Sequence, residues 1–133
     1  MKKNIIVITG GAGFIGSSLI KYLLYKGRNY SIISLDNYST GTKKNHINDK
    51  RIKYIRGENK DIDKYLKFYK KKINVIFHFG EFSRIYQSFK KYRECFDYNL
   101  FQTSKVIEFA KNNNIKIIYS ATSSNLGNDG KDE

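Results

Sequence analysis

Ile5-Ile6-Val7-Ile8-Thr9-Gly10-Gly11-Ala12-Gly13-Phe14-Ile15-Gly16 is the stretch on which the reading of this chain turns. A short β-branched run stops at a cluster of glycines, and an amphipathic pattern begins directly after it. Ile15, Leu19, Ile20, Leu23 and Leu24 recur at helical spacing. The pattern predicts a strand over residues 4–9, a tight turn, and a helix from Phe14 to about Lys26, closed by Gly27 as a C′ glycine. A turn of this kind delivers backbone without Cβ atoms to the N-terminus of a helix, whose unpaired N–H groups point outward. It is a seat for phosphate.

The glycines have separable tasks. Gly10 lets the chain leave the strand sharply, Gly13 lets the backbone approach a diphosphate, and Gly16 lets the helix lie close on its own strand. The run fits G-x-G-x-x-G through Gly11, Gly13 and Gly16, and G-x-x-G-x-x-G through Gly10, Gly13 and Gly16, so the pattern alone does not choose a subtype. Its context adds weight, because Asp36 follows the last glycine by about twenty residues, at the end of a second predicted strand, Ser31 to Leu35. A carboxylate there can accept both hydroxyls of an adenosine ribose, whereas a 2′-phosphate would face like charge. This favours NAD over NADP. Asn37-Tyr38-Ser39-Thr40-Gly41 follows as a polar loop placed to wrap the adenosine side.

Working outward, strands and helices alternate. After a polar stretch from Lys43 to Lys50, a third strand is predicted over Ile52 to Ile55, a mixed helix over Ile62 to Lys71, and a fourth strand over Asn74 to Phe79. That strand is apolar on successive residues, as a parallel strand covered on both faces should be. A long helix from about Tyr92 to Asn113 carries Phe96, Leu100, Thr103, Ser104, Ile107 and Ala110 on one predicted face, and Ile115 to Tyr119 is a fifth strand. Ser120 to Gly127 is a small-residue loop, and Asn128 to Glu133 is polar and without pattern. Strands separated by helices imply crossovers and a parallel sheet. The expected architecture is an α/β Rossmann-type sheet, order 3-2-1-4-5, with helices on both faces and the glycine turn at the switch point.

The 133 residues allow one domain at most, and 40% apolar residues suffice for a core. No apolar run approaches a membrane span, and the basic start Met1-Lys2-Lys3-Asn4 leads into a strand rather than a signal peptide, so the sequence predicts a cytoplasmic protein with no membrane partner. His46, His78 and the single Cys95 have no metal-ligand spacing, and no metal is predicted. A net charge of +13 raises nucleic acid as a partner. The basic residues are mainly lysines spread through every segment, no nucleic-acid-binding motif accompanies them, and no specific nucleic-acid partner is expected.

Several separated segments together resemble one family. Thr9 to Gly16, Asp36-Asn37-Tyr38-Ser39, Val75-Ile76-Phe77-His78-Phe79-Gly80, Asn99 and Ser120-Ala121-Thr122 are similar to the extended short-chain dehydrogenase/reductases, the NAD-dependent nucleotide-sugar epimerases and dehydratases, nearest to their UDP-glucose 4-epimerase branch. The resemblance implies that the backbone at Phe14 and Ile15 meets the pyrophosphate and that Asp36 and Asn37 hold the adenosine ribose. Glu58 and Asn59 fall at the adenine-contacting pair, with Asp61-Ile62 as the alternative. Phe79, Gly80 and Glu81 would line the dinucleotide where the fourth strand ends, Asn99 would meet it from the long helix, and Ser83, with Arg84 beside it, stands where the family often has a lysine.

Thr122 occupies the place of the catalytic Ser or Thr that hydrogen-bonds the reacting sugar oxygen. The family's base is a Tyr with a Lys four residues on, which removes a hydroxyl proton while hydride passes to NAD and a keto-sugar forms. That pair should follow the Ser/Thr by a few tens of residues. The resemblance therefore implies that residues 1–133 are the N-terminal NAD-binding domain alone, C-terminally incomplete and inactive by itself, with a nucleotide-sugar substrate and a homodimer belonging to the full-length form. Tyr22/Lys26 and Tyr86/Lys90 share the four-residue spacing, but the first pair lies too far up its helix and the second precedes Thr122. The alternative reading is a stand-alone dinucleotide-binding module without catalysis.

Overall fold

Side chains alternate across a strand, so one that is apolar on every residue must be covered on both faces. The strand Ile5–Thr9 (β1) is of this kind, with every residue buried. In the computed structural model, which describes residues 4–27 and 29–121, it is the centre of a five-stranded sheet with β2 (Ser31–Asp36), β3 (Ile52–Arg56), β4 (Ile73–His78) and β5 (Lys116–Tyr119). The order is β3-β2-β1-β4-β5, and every neighbouring pair is parallel. This is the predicted Rossmann-type sheet.

The pleat sorts β1 between two cores. Ile5 and Val7 join Ile33, Leu35, Ile73 and Ile76 against helices α2 (Ile62–Leu66) and α5 (Thr103–Asn112). Ile6 and Ile8 join Ile32 and Val75 against α1 (Phe14–Tyr25), through Ile20 with Leu19, Leu23 and Leu24. Each fully buried Ile, Leu or Val of these clusters contributes roughly 2 kcal/mol of apolar transfer. α1 stops where expected: Gly27 takes φ +63°, and its N–H donates to the Leu24 carbonyl at 3.1 Å.

Two predicted elements differ from what forms, and one helix was not predicted. The helix expected over Ile62 to Lys71 ends at Leu66, and a 3-10 turn takes Lys70–Lys72. Ile62 and Leu66 are buried and Tyr65 and Tyr69 pack partly against the same core, whereas Phe68 is exposed and Lys67, Lys70 and Lys71 add no apolar anchor to prolong the helix. A short helix, α3 (Ile85–Lys90), forms where none was predicted. The long helix expected over Tyr92 to Asn113 is α4 (Tyr92–Phe96), a π-helical segment (Asp97–Gln102) and α5 in succession.

The π segment also splits the predicted face, of which Thr103 and Ala110 are buried while Phe96, Leu100 and Ile107 are exposed. Each extra residue turns a helix by about 100°, so the Phe96-Leu100 stripe points outward while Gln102, Thr103, Val106, Phe109 and Ala110 point inward. Within the stretch expected to be irregular, Lys43–Asn45 is a 3-10 turn capped by the Thr42 hydroxyl, which accepts from the Lys44 N–H at 3.3 Å. Among the described residues no helix is long and apolar enough to cross a membrane.

Candidate functional site

The carboxyl ends of β1, β2, β4 and β5 open onto one groove of about 1450 Å³, its solvent mouth included. Its floor is the glycine turn. Gly10 sits at φ +69°, and a Cβ there would lie 2.7 Å from the Phe79 carbonyl oxygen. A Cβ on Gly16 would fall onto the Gly10 carbonyl and the Gly11 Cα. The turn therefore brings β1, the exit of β4 and the first turn of α1 closer than any side chain permits. Among the described residues no side chain caps α1, so its first amides, with Phe14 and Ile15 exposed at the groove's edge, are open to a ligand or solvent.

On the β2 side the wall is made by Asp36, only 7% exposed. Its carboxylate accepts the Ala12 N–H at 2.9 Å and the Tyr38 N–H at 2.7 Å. A carboxylate has about four acceptor sites, so capacity remains for hydroxyls in the groove. The following loop is tied back over the turn at one atom, the Ala12 carbonyl oxygen, which accepts the Thr42 N–H at 3.1 Å and the Asn45 side-chain amide at 2.8 Å. Tyr38 is held at φ +61°, its hydroxyl 2.9 Å from His46 Nε2.

On the β4 side the wall rests on a chain of side chains. The Thr9 hydroxyl accepts the Phe79 and Gly80 N–H groups, each at 3.2 Å, so its own proton goes to His78 Nδ1, 2.7 Å away. His78 must then carry its proton on Nε2, which donates to the Thr103 hydroxyl at 2.9 Å. The Thr103 proton faces the Tyr98 carbonyl at 3.0 Å and the Glu81 carboxyl at 3.4 Å. His78 is fully buried, and burial lowers its pKa from the usual 6.5 to about 4, keeping the ring neutral. Glu81, which lines the groove, is pushed upward by burial against the opposing hydrogen bonds from Tyr119 and Thr103.

A glycine floor exposing helix amides, with a carboxylate one strand over, fits a dinucleotide diphosphate and its adenosine ribose. Comparison with known proteins agrees. Residues 6–133 match the model of the NAD dependent epimerase/dehydratase family. The chain belongs to that family. It is 34% identical over 124 residues to UDP-glucose 4-epimerase of Lacticaseibacillus casei, covering 92% of this chain and 36% of that protein. It is 33% identical over 123 residues to dTDP-D-glucose 4,6-dehydratase of Dictyostelium discoideum, covering 88% and 28%. Among solved structures, the UDP-glucose 4-epimerase from Bifidobacterium longum in complex with NAD+ and UDP superposes with a TM-score of 0.79 at 30% identity, over 93% of this chain and 38% of that one. The chain thus spans well under half the length of these relatives.

Within this family member, the groove gathers most of the residues singled out from sequence. Gly10, Gly13, Phe14, Ile15, Gly16, Asp36, Asn37, Ser39, Thr40, Asn59, Phe79, Gly80 and Glu81 line it. Four others stand behind the wall. Tyr38 reaches His46; Gly41 backs Asp36, where a Cβ would come within 3.0 Å of Oδ1; and Glu58 accepts from the Asn37 and Gln102 side chains. Asn99 uses both ends of its amide on Phe82, accepting from its N–H at 2.6 Å and donating to its carbonyl at 2.9 Å. Of the two adenine-side alternatives, Asn59 is in the wall, holding the Gly80 carbonyl at 2.9 Å, whereas Ile62 is buried in the core. Thr122 lies outside the described residues.

Sequence reasoning missed Asn45, Gly57, Tyr98 and Gln102, which also line the groove, as do Ser83, Arg84 and Ser120, which the resemblance had named. Tyr98 and Gln102 are presented by the π segment, which no periodicity announces. The pairs Tyr22/Lys26 and Tyr86/Lys90 stack lysine on ring at 5.4 Å in each case, on the exposed sides of α1 and α3 and away from the groove wall.

Proposed function

We propose that residues 1–133 are the NAD-binding part of a nucleotide-sugar epimerase or dehydratase. The observation that carries this is the placing of the uncapped α1 terminus and the Asp36 carboxylate on one groove, with the glycine floor between them. The first-turn amides would take the diphosphate, Asp36 and Asn37 the adenosine ribose, and Asn59 the adenine side, with Phe79, Gly80 and Glu81 along the remainder. NAD, when bound, supplies a hydride acceptor. Calorimetry with NAD and NADP tests this: saturable NAD binding with NADP at least about tenfold weaker is expected, since a 2′-phosphate would meet Asp36. No NAD binding, or equal binding of the two, overturns it.

The finer reading is UDP-glucose 4-epimerase-like chemistry through a keto-sugar, in which Thr122 supplies the hydroxyl that holds the reacting sugar oxygen. The Tyr-x-x-x-Lys base is not among residues 1–133 in the required order, so this polypeptide alone should bind NAD without converting UDP-glucose to UDP-galactose. Conversion by the isolated 133 residues would overturn that. We also assign a second copy of the longer form to the outward stripe of Ile85, Phe89, Tyr92, Phe96, Leu100 and Ile107, each 47% exposed or more. An apolar row of this length on adjoining helices is the kind of face that oligomers cover. Sedimentation of the longer form should show a dimer that Phe96→Glu dissociates; a monomer at micromolar concentration would overturn the pairing.

A further inference from the structure

We infer that the Glu81 side chain reads the sugar hydroxyls of the second half of the dinucleotide, making it a specificity-determining partner to Asp36 across the glycine turn. This rests on the dinucleotide reading above. The groove crosses the sheet: the β2 end carries Asp36, the middle is the α1 terminus, and the β4 and β5 ends carry Glu81 and Ser120. A diphosphate on the α1 amides with its adenosine over Asp36 must lay its other nucleoside over the ends of β4 and β5. Glu81 is the carboxyl in that part of the described wall.

It is also a carboxyl held in place. Tyr119, at the end of β5, hydrogen-bonds it, and Thr103, at the start of α5, shares its one proton between this carboxyl at 3.4 Å and the Tyr98 carbonyl at 3.0 Å. Thr103 is fixed in turn by the Nε2 proton of His78, and His78 by Thr9 beneath the glycine turn. The chain Thr9-His78-Thr103-Glu81 therefore ties the carboxyl to the same backbone that seats the diphosphate. As a carboxylate it presents only acceptors, which suits sugar hydroxyls that donate; burial raises its pKa. The carboxyl stays beside the buried Thr103 and the exposed Tyr119 and still lines the groove.

The test compares NAD, ADP-ribose and ADP, which share the adenosine and the diphosphate and differ beyond it. Calorimetric titration of the 133-residue chain fixes the reference, and failure of wild type to bind any of the three would overturn the dinucleotide reading itself. Given binding, Glu81→Ala should weaken NAD and ADP-ribose alike by about tenfold or more, with ADP unchanged within about twofold. Retained ADP binding shows that the variant is folded. Equal loss for all three ligands, no loss for any, or a loss confined to NAD would overturn the inference while leaving the dinucleotide site standing. Should Glu81→Ala fail to fold, Glu81→Gln and Tyr119→Phe give the same comparison. The first should keep NAD within about threefold, because an amide both donates and accepts. Tyr119→Phe should reduce NAD relative to ADP by about threefold, and an unchanged ratio overturns the proposal.

Discussion

The two carboxyl groups that flank the glycine turn are built by different means. Asp36 is held by main chain, through the Ala12 and Tyr38 amides. Glu81 is held by side chains, Thr103 and Tyr119, with His78 and Thr9 behind them. Main-chain anchoring follows from the path of the backbone and survives substitution of its neighbours. Side-chain anchoring requires each hydroxyl and the ring to be the right residue in the right protonation state. The β2 side should therefore be robust and the β4 side conditional, although both stand on one floor.

Breaking the floor should remove both sides together and have the largest effect. In Gly16→Ala the new methyl falls on the Gly10 carbonyl and the Gly11 Cα, backbone atoms that cannot rotate away, and a loss of about 3 kcal/mol with no measurable NAD binding is expected. Gly27→Ala is the matched control. Its φ of +63° is as unfavourable as that of Gly10, yet nothing lies nearer than 4.0 Å, so it should cost only about 1 kcal/mol and leave binding intact. Urea unfolding of both variants, with NAD titration, separates close approach from backbone angle.

Acidification should strike the conditional side. The folded His78 titrates near 4 and the unfolded chain near the usual 6.5, so between these values the unfolded state binds a proton that the folded state refuses. The stability is fully present above pH 6.5 and is lost as pH falls towards 4, by about 3 kcal/mol. Glu81, whose pKa is raised, acts in the opposite sense: its protonation at low pH relieves a buried charge. An NMR titration of the labelled ring isolates His78, with the proton expected on Nε2 and a midpoint near 4. A midpoint near 6.5 would show that the buried chain does not hold the ring.

Asp36→Asn probes the robust side. The amide keeps the shape but presents N–H groups where two backbone N–H groups and the ribose need acceptors. NAD affinity should fall by about tenfold or more, at least roughly 1.4 kcal/mol, and the discrimination against NADP should narrow. Unchanged NAD affinity would remove Asp36 from the site.

The same contrast decides what could be read from the sequence. The β-branched runs, the glycines and Asp36 stand at spacings set by the geometry of strand, turn and helix, so the sheet order and the β2 side were accessible in advance. The β4 side depends on a π segment that shifts the helix phase and carries Tyr98 and Gln102 into the wall. An inserted residue leaves no mark in a pattern where Tyr92, Phe96 and Leu100 continue an apolar repeat of their own, here turned outward. Asn99 follows from the same shift. Its family-implied contact is with the ligand, whereas its amide is engaged on the Phe82 backbone. His78 and Thr103, 25 residues apart in the chain, gave no local signal of their contact.

The smallest effects make the sharpest comparison, because they set one buried hydroxyl against another. Thr103→Val removes the acceptor of the His78 Nε2 proton and leaves a buried donor unpaired, a loss of about 1–2 kcal/mol at nearly constant volume. Ser34, on β2, is 1% exposed and its hydroxyl has no hydrogen-bond partner among the described residues; it lies where a Cβ on Gly11 would have to be. Ser34→Ala deletes an unsatisfied group without breaking a bond, so stability should hold or rise by up to about 1 kcal/mol. Urea midpoints for the two variants should move in opposite directions, or one should move while the other stays. Equal losses would mean that Ser34 is bonded after all and that hydroxyl chemistry supports both sides of the turn alike.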